Sequence, residues 1–109
     1  MQVDVQETEV DVNRFRKFDL NSLVTFLAVY QACGVSRAAK RLNVTQPAVS
    51  NVLGKLRMRF DDPLFVPSGR SVRPTPKAEL IAQALAPAMR MLQALLLDGI
   101  AHDCTEDTP

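Results

Sequence analysis

Apolar residues recur at helical spacing in the first third of the chain. From about residue 21 to residue 33 they share one face of a predicted helix, whose members are Leu20, Leu23, Val24, Leu27 and Tyr30. Gly34 follows them and is predicted to end this helix in the left-handed conformation. Ser36 is predicted to cap a short second helix. The spacing therefore predicts two helices joined by a tight turn.

The stretch from Thr45 to Phe60 predicts a third helix with two unlike faces. Thr45 can cap it, and Pro47 fits its first turn, where the missing N–H would have no partner. One side is apolar and comprises Val49, Val52, Leu53, Leu56 and Phe60. The opposite arc comprises Pro47, Ser50, Asn51, Gly54 and Met58. A short helix followed by a helix with small, hydrogen-bonding side chains outward is the helix-turn-helix arrangement, whose second helix enters the major groove of DNA.

Gly54 allows two explanations. A glycine inside a helix costs about 0.5–1 kcal/mol relative to alanine. Close approach to a DNA backbone would justify that cost, and so would close packing inside the protein. Both explanations stay open at the level of sequence.

Residues 64–73 predict a β-hairpin, the wing of a winged helix-turn-helix. Two short extended runs flank a turn that contains Gly69. After the hairpin, Thr75 can cap a long helix that starts at Pro76 and continues to about Leu97. The second half of the chain is thus predicted to be a hairpin and one long helix.

The long helix carries a repeating apolar seam. Its members follow the four–three spacing of coiled coils and are Ile81, Leu85, Ala88, Leu92 and Leu95. Together with neighbouring apolar residues, they form more apolar surface than one small domain covers. A second copy of the chain is therefore predicted to pack against this helix. Pro87 predicts a kink within it.

The net charge of +1 hides a basic middle region. Residues 36–77 contain nine Lys or Arg side chains and two acidic ones, whereas residues 1–12 contain four acids and no base. A basic region between acidic ends favours a nucleic-acid partner. The polar, aperiodic residues 1–18 predict a flexible arm. Its basic cluster is either a solubilising tail, which we favour, or a DNA-contacting arm, and comprises Arg14, Arg16 and Lys17.

Several classes of function find no support in the residues. Cys33 and Cys104 lie in unlike surroundings and are predicted to be free thiols in a reducing cytosol. No secretory leader is apparent, and polar residues interrupt the apolar stretch 78–97, which argues against a membrane span. No catalytic residue, metal ligand or cofactor is predicted, since the serines lack a histidine partner and His102 with Cys104 gives only two ligands.

The chain resembles the DNA-binding half of LysR-type transcriptional regulators, a bacterial family of winged helix-turn-helix proteins. The resemblance covers about residues 18–97 and rests on FDLNSLVTFLAV, GVSRAAKRLNVTQPAVSNVLGKLR, DDPLFV and GRSVRPTPKAE. It implies a mainly α fold of three helices and a short β-hairpin wing, followed by a long helix that pairs with its copy in a dimer. The implied organisation is a flexible arm (1–18), a winged helix-turn-helix domain (19–74), a linker and dimerisation helix (75–97) and a disordered tail (98–109).

In that family a larger effector-sensing domain normally follows the long helix. The sequence ends without such a domain, so we expect a shortened form of a longer regulator rather than a natural short form. A small-molecule effector would act only through the absent domain.

The resemblance also implies roles for individual residues. Four side chains at the start of the third helix would contact bases in the major groove: Gln46, Pro47, Ser50 and Asn51. Contacts to the DNA backbone or from the wing would come from Ser36, Arg37, Thr45, Lys55, Arg70 and Arg73. Many relatives carry an arginine where this wing has Pro67, so Arg70 or Arg73 would supply more of that contact.

These features of the sequence suggest three candidate functions. The leading one is sequence-specific binding of double-stranded DNA by a homodimer, as the DNA-binding module of a cytoplasmic transcriptional regulator. The alternative is a short dimerisation partner that pairs with full-length regulators through helix 75–97. The third, an enzyme targeted by a helix-turn-helix, would need acidic metal ligands, and the adjacent Asp61 and Asp62 need not converge. Arg57 and Arg59 are expected to be solvated or to pair with these two aspartates.

Overall fold

The computed structural model describes residues 9–97 of the 109-residue chain. Its elements in chain order are α1 (Val12–Lys17), α2 (Asn21–Ala32), α3 (Val35–Leu42), α4 (Gln46–Phe60), β1 (Phe65–Ser68), β2 (Ser71–Pro74) and α5 (Pro76–Leu97). The predicted fold class is confirmed: the three helices α2, α3 and α4 and a two-stranded antiparallel hairpin precede one long helix. Helix α1 is an addition that the pattern of the sequence did not predict.

Helix α1 lies within the segment predicted to be a flexible arm. Asp11 caps it, because its carboxylate accepts a hydrogen bond from the Asn13 N–H at 3.1 Å and lies 3.6 Å from Nε of Arg14. Val12–Lys17 of the predicted arm thus form a helix of six residues, none of which is buried. Residues 1–8 of the predicted arm and the predicted tail over 98–109 lie outside the described residues.

The turn between α2 and α3 differs from its prediction. The left-handed residue is Cys33, with φ 57°, whereas Gly34 is extended at φ −176°. Helix α2 thus ends one residue earlier than predicted, with the Cys33 N–H donating to the Val29 carbonyl at 2.8 Å. Gly34 precedes the first residue of α3, so Ser36 lies inside the first turn and does not cap the helix.

The core lies where α2, α3 and α4 meet the hairpin. Its largest fully buried side chains are Phe26, Val29, Val49, Leu53, Leu56 and Leu64. The side chains of Ala38 and Ala39 are also buried, and their small size lets α3 lie close to its neighbours. The Phe26 and Phe65 rings, with centroids 5.3 Å apart, join α2 to the first strand. The apolar side predicted for α4 is confirmed, because its members are buried or half-buried.

Asp62 organises the corner between α4 and the hairpin. Its Oδ2 accepts hydrogen bonds from the Leu64 N–H at 2.8 Å and from the Thr75 hydroxyl at 2.6 Å. The Thr75 bond, with the Leu64 bond second, lowers the pKa of Asp62 below its ordinary value of 3.8. Leu64 has a positive φ of 66° and is fully buried, so this corner holds a backbone conformation that leucine rarely adopts.

The two arginines at the end of α4 do not pair with the neighbouring aspartates. Nε of Arg57 donates to the Pro63 carbonyl at 2.9 Å. The Arg59 guanidinium lies over the ring of Phe18, 4.8 Å from its centroid. Of the two expectations for these arginines, pairing with Asp61 and Asp62 is wrong, while exposure to solvent is confirmed for both side chains.

Helix α5 is attached to the rest of the molecule through its first turns. Thr75 caps it as predicted, accepting a hydrogen bond from the Ala78 N–H at 3.1 Å. The Tyr30 hydroxyl donates to the Glu79 carboxylate at 2.6 Å, and this bond, with desolvation second, raises the pKa of Tyr30 above 10.0. Ala78 and Ala82 are buried against the core. Pro87 lies inside α5, which continues as one helix to Leu97.

Candidate nucleic-acid interface

The helix-turn-helix is formed by α3 and α4. Asn43 ends α3 in the left-handed conformation, with φ 58°, and the Val44 N–H donates to the Ala39 carbonyl at 3.0 Å. Thr45 then starts α4 as predicted, because its hydroxyl accepts a hydrogen bond from the Ala48 N–H at 3.2 Å. This short turn holds the first residues of α4 at the surface.

The four side chains predicted to contact bases are all exposed on the first half of α4. We call this the polar surface of α4, and its members are Gln46, Pro47, Ser50 and Asn51. A shallow, open depression runs over Thr45, Pro47 and Ala48 to Ser50 and Asn51. The opposite side of the same helix is buried through Val49 and Leu53. One side of α4 thus packs against the core while the other is open to solvent, as a helix that enters a DNA groove requires.

Gly54 continues the open face by one turn. A Cβ added at Gly54 would meet no atom within 4 Å, apart from the backbone of its own helix and its chain neighbours. Close packing inside the described chain therefore does not explain this glycine. Its neighbour along the outer arc, Met58, is 84% exposed. An object approaching from outside the molecule could come near the backbone of α4 at Gly54.

Five of the six residues predicted to contact the DNA backbone or to act from the wing have exposed side chains that do not bond to another element of the described fold. The side chains of Ser36 and Lys55 are exposed on α3 and α4, and those of Arg70 and Arg73 are exposed on the hairpin. Gly69, with φ 63°, makes the hairpin turn beside Arg70. Thr45 is also exposed, although its hydroxyl caps α4.

Arg37 is the exception among these six. Its Nε donates to the Ala32 carbonyl at 2.8 Å, and its Nη2 donates to the Cys33 carbonyl at 2.9 Å and to the Ser71 hydroxyl at 3.2 Å. The side chain is therefore used within the protein, between the end of α2 and the start of β2. Sequence reasoning missed this role, because spacing along α3 carries no signal for carbonyls at the end of another helix.

The lysines and arginines of the basic middle region, residues 36–77, are not held in close ion pairs. Within residues 9–97, the ion pair between Arg14 and Asp11 is the only one closer than 4 Å, and it lies outside the region 36–77. The described cations of that region thus form no ion pair within 4 Å of a carboxylate. This arrangement attracts a polyanion.

A second exposed surface lies on the far half of α5. We call it the apolar surface of α5, and its members are Met91, Leu92, Leu95, Leu96 and Leu97. The predicted seam divides here: Ile81 and Leu85 are half-buried against the core of their own chain, while Ala88 and the later members are exposed. A groove of about 540 Å³ separates this half of the helix from α2.

The described residues offer little support for other chemistry. No group of three or more His, Cys, Asp or Glu side chains lies together in residues 9–97 as a metal site would require. Cys33 is an exposed free thiol, while His102 and Cys104 lie outside the described residues. By length and composition α5 could cross a membrane, but a single helix of this kind is weak evidence for a membrane span.

Comparison with known proteins gives concordant results. The sequence model described as "Bacterial regulatory helix-turn-helix protein, lysR family" matches residues 20–79. The HTH-type transcriptional regulator LeuO of Escherichia coli is 39% identical over 94 residues, which cover 85% of this chain and 30% of that protein. The chain spans 20–30% of the length of the curated relatives LeuO, YbdO of Escherichia coli and Nodulation protein D 1 of Rhizobium meliloti.

Solved structures show the same similarity. A probable transcriptional regulator from Pseudomonas aeruginosa is 41% identical with a TM-score of 0.71, over 75% of this chain and 28% of that one. The DNA-binding domain of CbnR, solved in complex with DNA, is 27% identical with a TM-score of 0.61, over 83% of this chain and 97% of that one. The elements carrying the polar surface of α4 fall within the matched region.

Proposed function

Because the chain belongs to the LysR family of bacterial regulatory helix-turn-helix proteins, we propose that it binds double-stranded DNA sequence-specifically as part of a transcriptional regulator. Helix α4 lies in the major groove, and the wing, the hairpin of β1 and β2, meets the DNA backbone or minor groove. The observation that carries this proposal is the polar surface of α4, which is exposed while the opposite side of the helix is buried in the core. The DNA-bound domain of CbnR, similar in fold and sequence, supports it.

The polar surface of α4 has the chemistry needed to read base edges. The amides of Gln46 and Asn51 can each donate to N7 and accept from N6 of adenine in a bidentate pair. Ser50 can donate or accept, and the ring of Pro47 can contact a thymine methyl group. Small side chains at these positions let the helix approach the base pairs, and the bare backbone at Gly54 extends that approach.

Contacts to the DNA backbone set the register of this helix. Lys55 beside the polar surface of α4, and Arg70 and Arg73 on the wing, are exposed cations that can bind phosphates. The hydroxyls of Ser36 and Thr45 lie in the first turn of α3 and at the start of α4 and can add neutral contacts. These contacts supply affinity without discriminating between bases.

A homodimer would form through the apolar surface of α5. Its five members are 42–75% exposed, and exposed apolar groups of this size on one helix favour burial against another protein surface. A second copy of α5 offers the same apolar chemistry and would bring a second α4 to the same duplex. Two half-sites separated by about one helical turn or more would follow. The protein would act in the bacterial cytoplasm, on the nucleoid.

The proposal is tested with a duplex enriched from a random pool and labelled for fluorescence anisotropy. Affinity is measured from low to moderate salt, alongside an unrelated duplex of equal length. We expect the logarithm of the affinity to fall linearly with that of the salt concentration, because phosphate contacts release counterions. The enriched duplex should remain the tighter ligand throughout. A flat salt response on every duplex, or equal affinity for both, would contradict the proposal.

A further inference from the structure

We propose that Arg37 is a positioning residue that fixes the wing against the helix-turn-helix and thereby sets where Arg70 meets DNA. This inference rests on the proposed function. It gives Arg37 a different role from the phosphate contact that the resemblance implied. The distinction matters because a phosphate contact needs only a positive charge, whereas this role needs the shape of a guanidinium group.

The guanidinium of Arg37 joins two parts of the fold. On one side it donates to the last carbonyls of α2, through Nε to Ala32 at 2.8 Å and through Nη2 to Cys33 at 2.9 Å. On the other side Nη2 donates to the Ser71 hydroxyl at the start of β2, at 3.2 Å. The Cys33 carbonyl also accepts a hydrogen bond from the Val72 N–H at 3.0 Å. The wing and Arg37 therefore share one acceptor at the end of α2.

The left-handed conformation of Cys33 belongs to the same arrangement. Helix α2 ends at Ala32, so the carbonyls of Ala32 and Cys33 have no further helical N–H to accept from. Arg37 satisfies both of them, and the Val72 N–H bonds to the second. The end of α2 is thus capped by a side chain from α3 and by the backbone of the wing.

Gly34 provides the space for this side chain. A Cβ at Gly34 would lie 3.1 Å from Nη2 and 3.3 Å from Cζ of Arg37, which is closer than ordinary contact. The backbone of Gly34 is extended at φ −176°, a conformation open to any residue. The glycine is therefore explained by the guanidinium that lies over it rather than by its backbone angles.

The wing depends on this attachment because a two-stranded hairpin is marginally stable alone. Its turn is exposed from Pro67 to Arg70, while Ser71 and Val72 next to that turn are the residues tied to Cys33 and Arg37. Arg70 is one residue from Ser71. Loss of the attachment would let Arg70 sample more positions, and ordering it again on DNA would reduce affinity.

The decisive comparison uses Arg37→Lys, which keeps the charge but cannot form the same fork of hydrogen bonds. We expect Arg37→Lys and Arg37→Ala to bind the enriched duplex about tenfold more weakly than wild type, since each loses hydrogen bonds from a charged donor. Gly34→Ala should weaken binding in the same direction by displacing the guanidinium. In an Arg70→Ala background the same changes should cost less than about twofold, because the contact they position is already absent.

Two controls make the test independent of overall folding and of the proposed function. Arg41→Lys makes the same substitution on α3 at a residue without a described hydrogen bond to the wing, and it should bind as wild type. In the free protein, Arg37→Lys should speed hydrogen exchange at the Val72 amide while the amides of Leu53 and Leu56 in the core stay protected. Binding by Arg37→Lys equal to wild type, equal losses with and without Arg70, or unchanged exchange at Val72 would overturn the inference. Failure of wild type to bind any duplex would instead overturn the proposed function, and the exchange measurement would still decide the role of Arg37 in the wing.

Discussion

The polar surface of α4 and the apolar surface of α5 are both exposed, yet they differ in almost every other respect. The first carries amides, a hydroxyl and a proline ring over a buried helix back, whereas the second carries leucines and a methionine. Exposed polar groups are satisfied by water and gain from a partner only if it presents matching donors and acceptors. Exposed apolar groups gain from any dry surface of suitable shape. The comparison therefore supports the proposals that the first surface binds a specific polar ligand and that the second binds a protein.

The two helices also differ in how they are held. Helix α4 is anchored in its middle by Val49, Leu53 and Leu56, so the direction of its outer face is fixed. Helix α5 is anchored in its first half, by buried alanines, by the half-buried Ile81 and Leu85, and by the hydrogen bond between Tyr30 and Glu79. A fixed surface suits the reading of base edges, while a projecting helix suits pairing with another copy. Four measurements test the roles assigned to these helices and to the corner beside them.

The largest effect is expected from a charge in the apolar surface of α5. Leu92→Asp would place a carboxylate in the proposed dimer interface, where burial of an unpaired charge is strongly unfavourable. Sedimentation velocity should show a monomer, and affinity for a two-half-site duplex should fall about 100-fold, because the second binding event is no longer intramolecular. Val12→Asp makes a similar exposed change on α1 and should leave the dimer intact. A Leu92→Asp protein that remains dimeric would remove this surface from the interface.

A smaller, sequence-dependent effect is expected on the polar surface of α4. Asn51→Ala should reduce discrimination at one base pair of each half-site by about 1–3 kcal/mol, since a bidentate amide contact is lost. Its affinity for unrelated duplexes should change little. Lys55→Ala should instead weaken binding to all duplexes and lower the salt slope by about one for each protomer, or about two for the dimer. Equal losses on all sequences for Asn51→Ala would reassign this residue to the backbone.

Gly54→Ala separates stability from binding. The free protein should become more stable to urea by about 0.5–1 kcal/mol, because alanine is the better helix former and its Cβ meets nothing. Affinity for the enriched duplex should fall in the same variant, since the added methyl group lies where the DNA approaches. Higher stability with unchanged affinity would show that DNA does not come close to α4 at this turn.

The smallest effect concerns the corner that joins α4 to the wing. Asp62 has a lowered pKa in the fold, chiefly because Thr75 donates to it, so its contribution to stability is present above the unfolded value near 3.8. That contribution is lost as pH falls through the lower folded-state pKa. Asp62→Asn should therefore be less stable than wild type at neutral pH, and the difference should shrink on acidification below 3.8. Urea titrations across this range would measure it, and a difference independent of pH would contradict the role of the carboxylate.

The sequence predicted the parts of the fold that rest on repeated spacing and on caps. Thr45 and Thr75 marked the starts of α4 and α5 correctly, since each hydroxyl accepts the capping hydrogen bond, whereas Ser36 lies inside α3 and does not cap it. Helix α1 was missed because six residues are too few to show a period. Ile81 was assigned to the dimer seam because periodicity identifies an apolar face without identifying the surface that covers it.

The site was predicted less completely than the fold, and Gly34 shows the reason. A glycine after an apolar helix indicates a left-handed end, but here Cys33 adopts that conformation and Gly34 makes room for Arg37. The need for space beside Arg37 cannot be predicted from the local sequence, because the guanidinium lies over Gly34 only once the fold has formed. The same holds for Asp62, whose partners Leu64 and Thr75 are set by the corner rather than by a motif.

Sequence-specific binding through the polar surface of α4 can be tested by selecting bound duplexes from a random pool, in parallel for wild type and for Asn51→Ala. Wild type should enrich a motif with two related half-sites, and the variant should enrich the same motif with preference relaxed at one position in each half-site. Failure of wild type to enrich any motif would contradict sequence-specific binding. Identical motifs for both proteins would contradict base reading by Asn51 on the polar surface of α4.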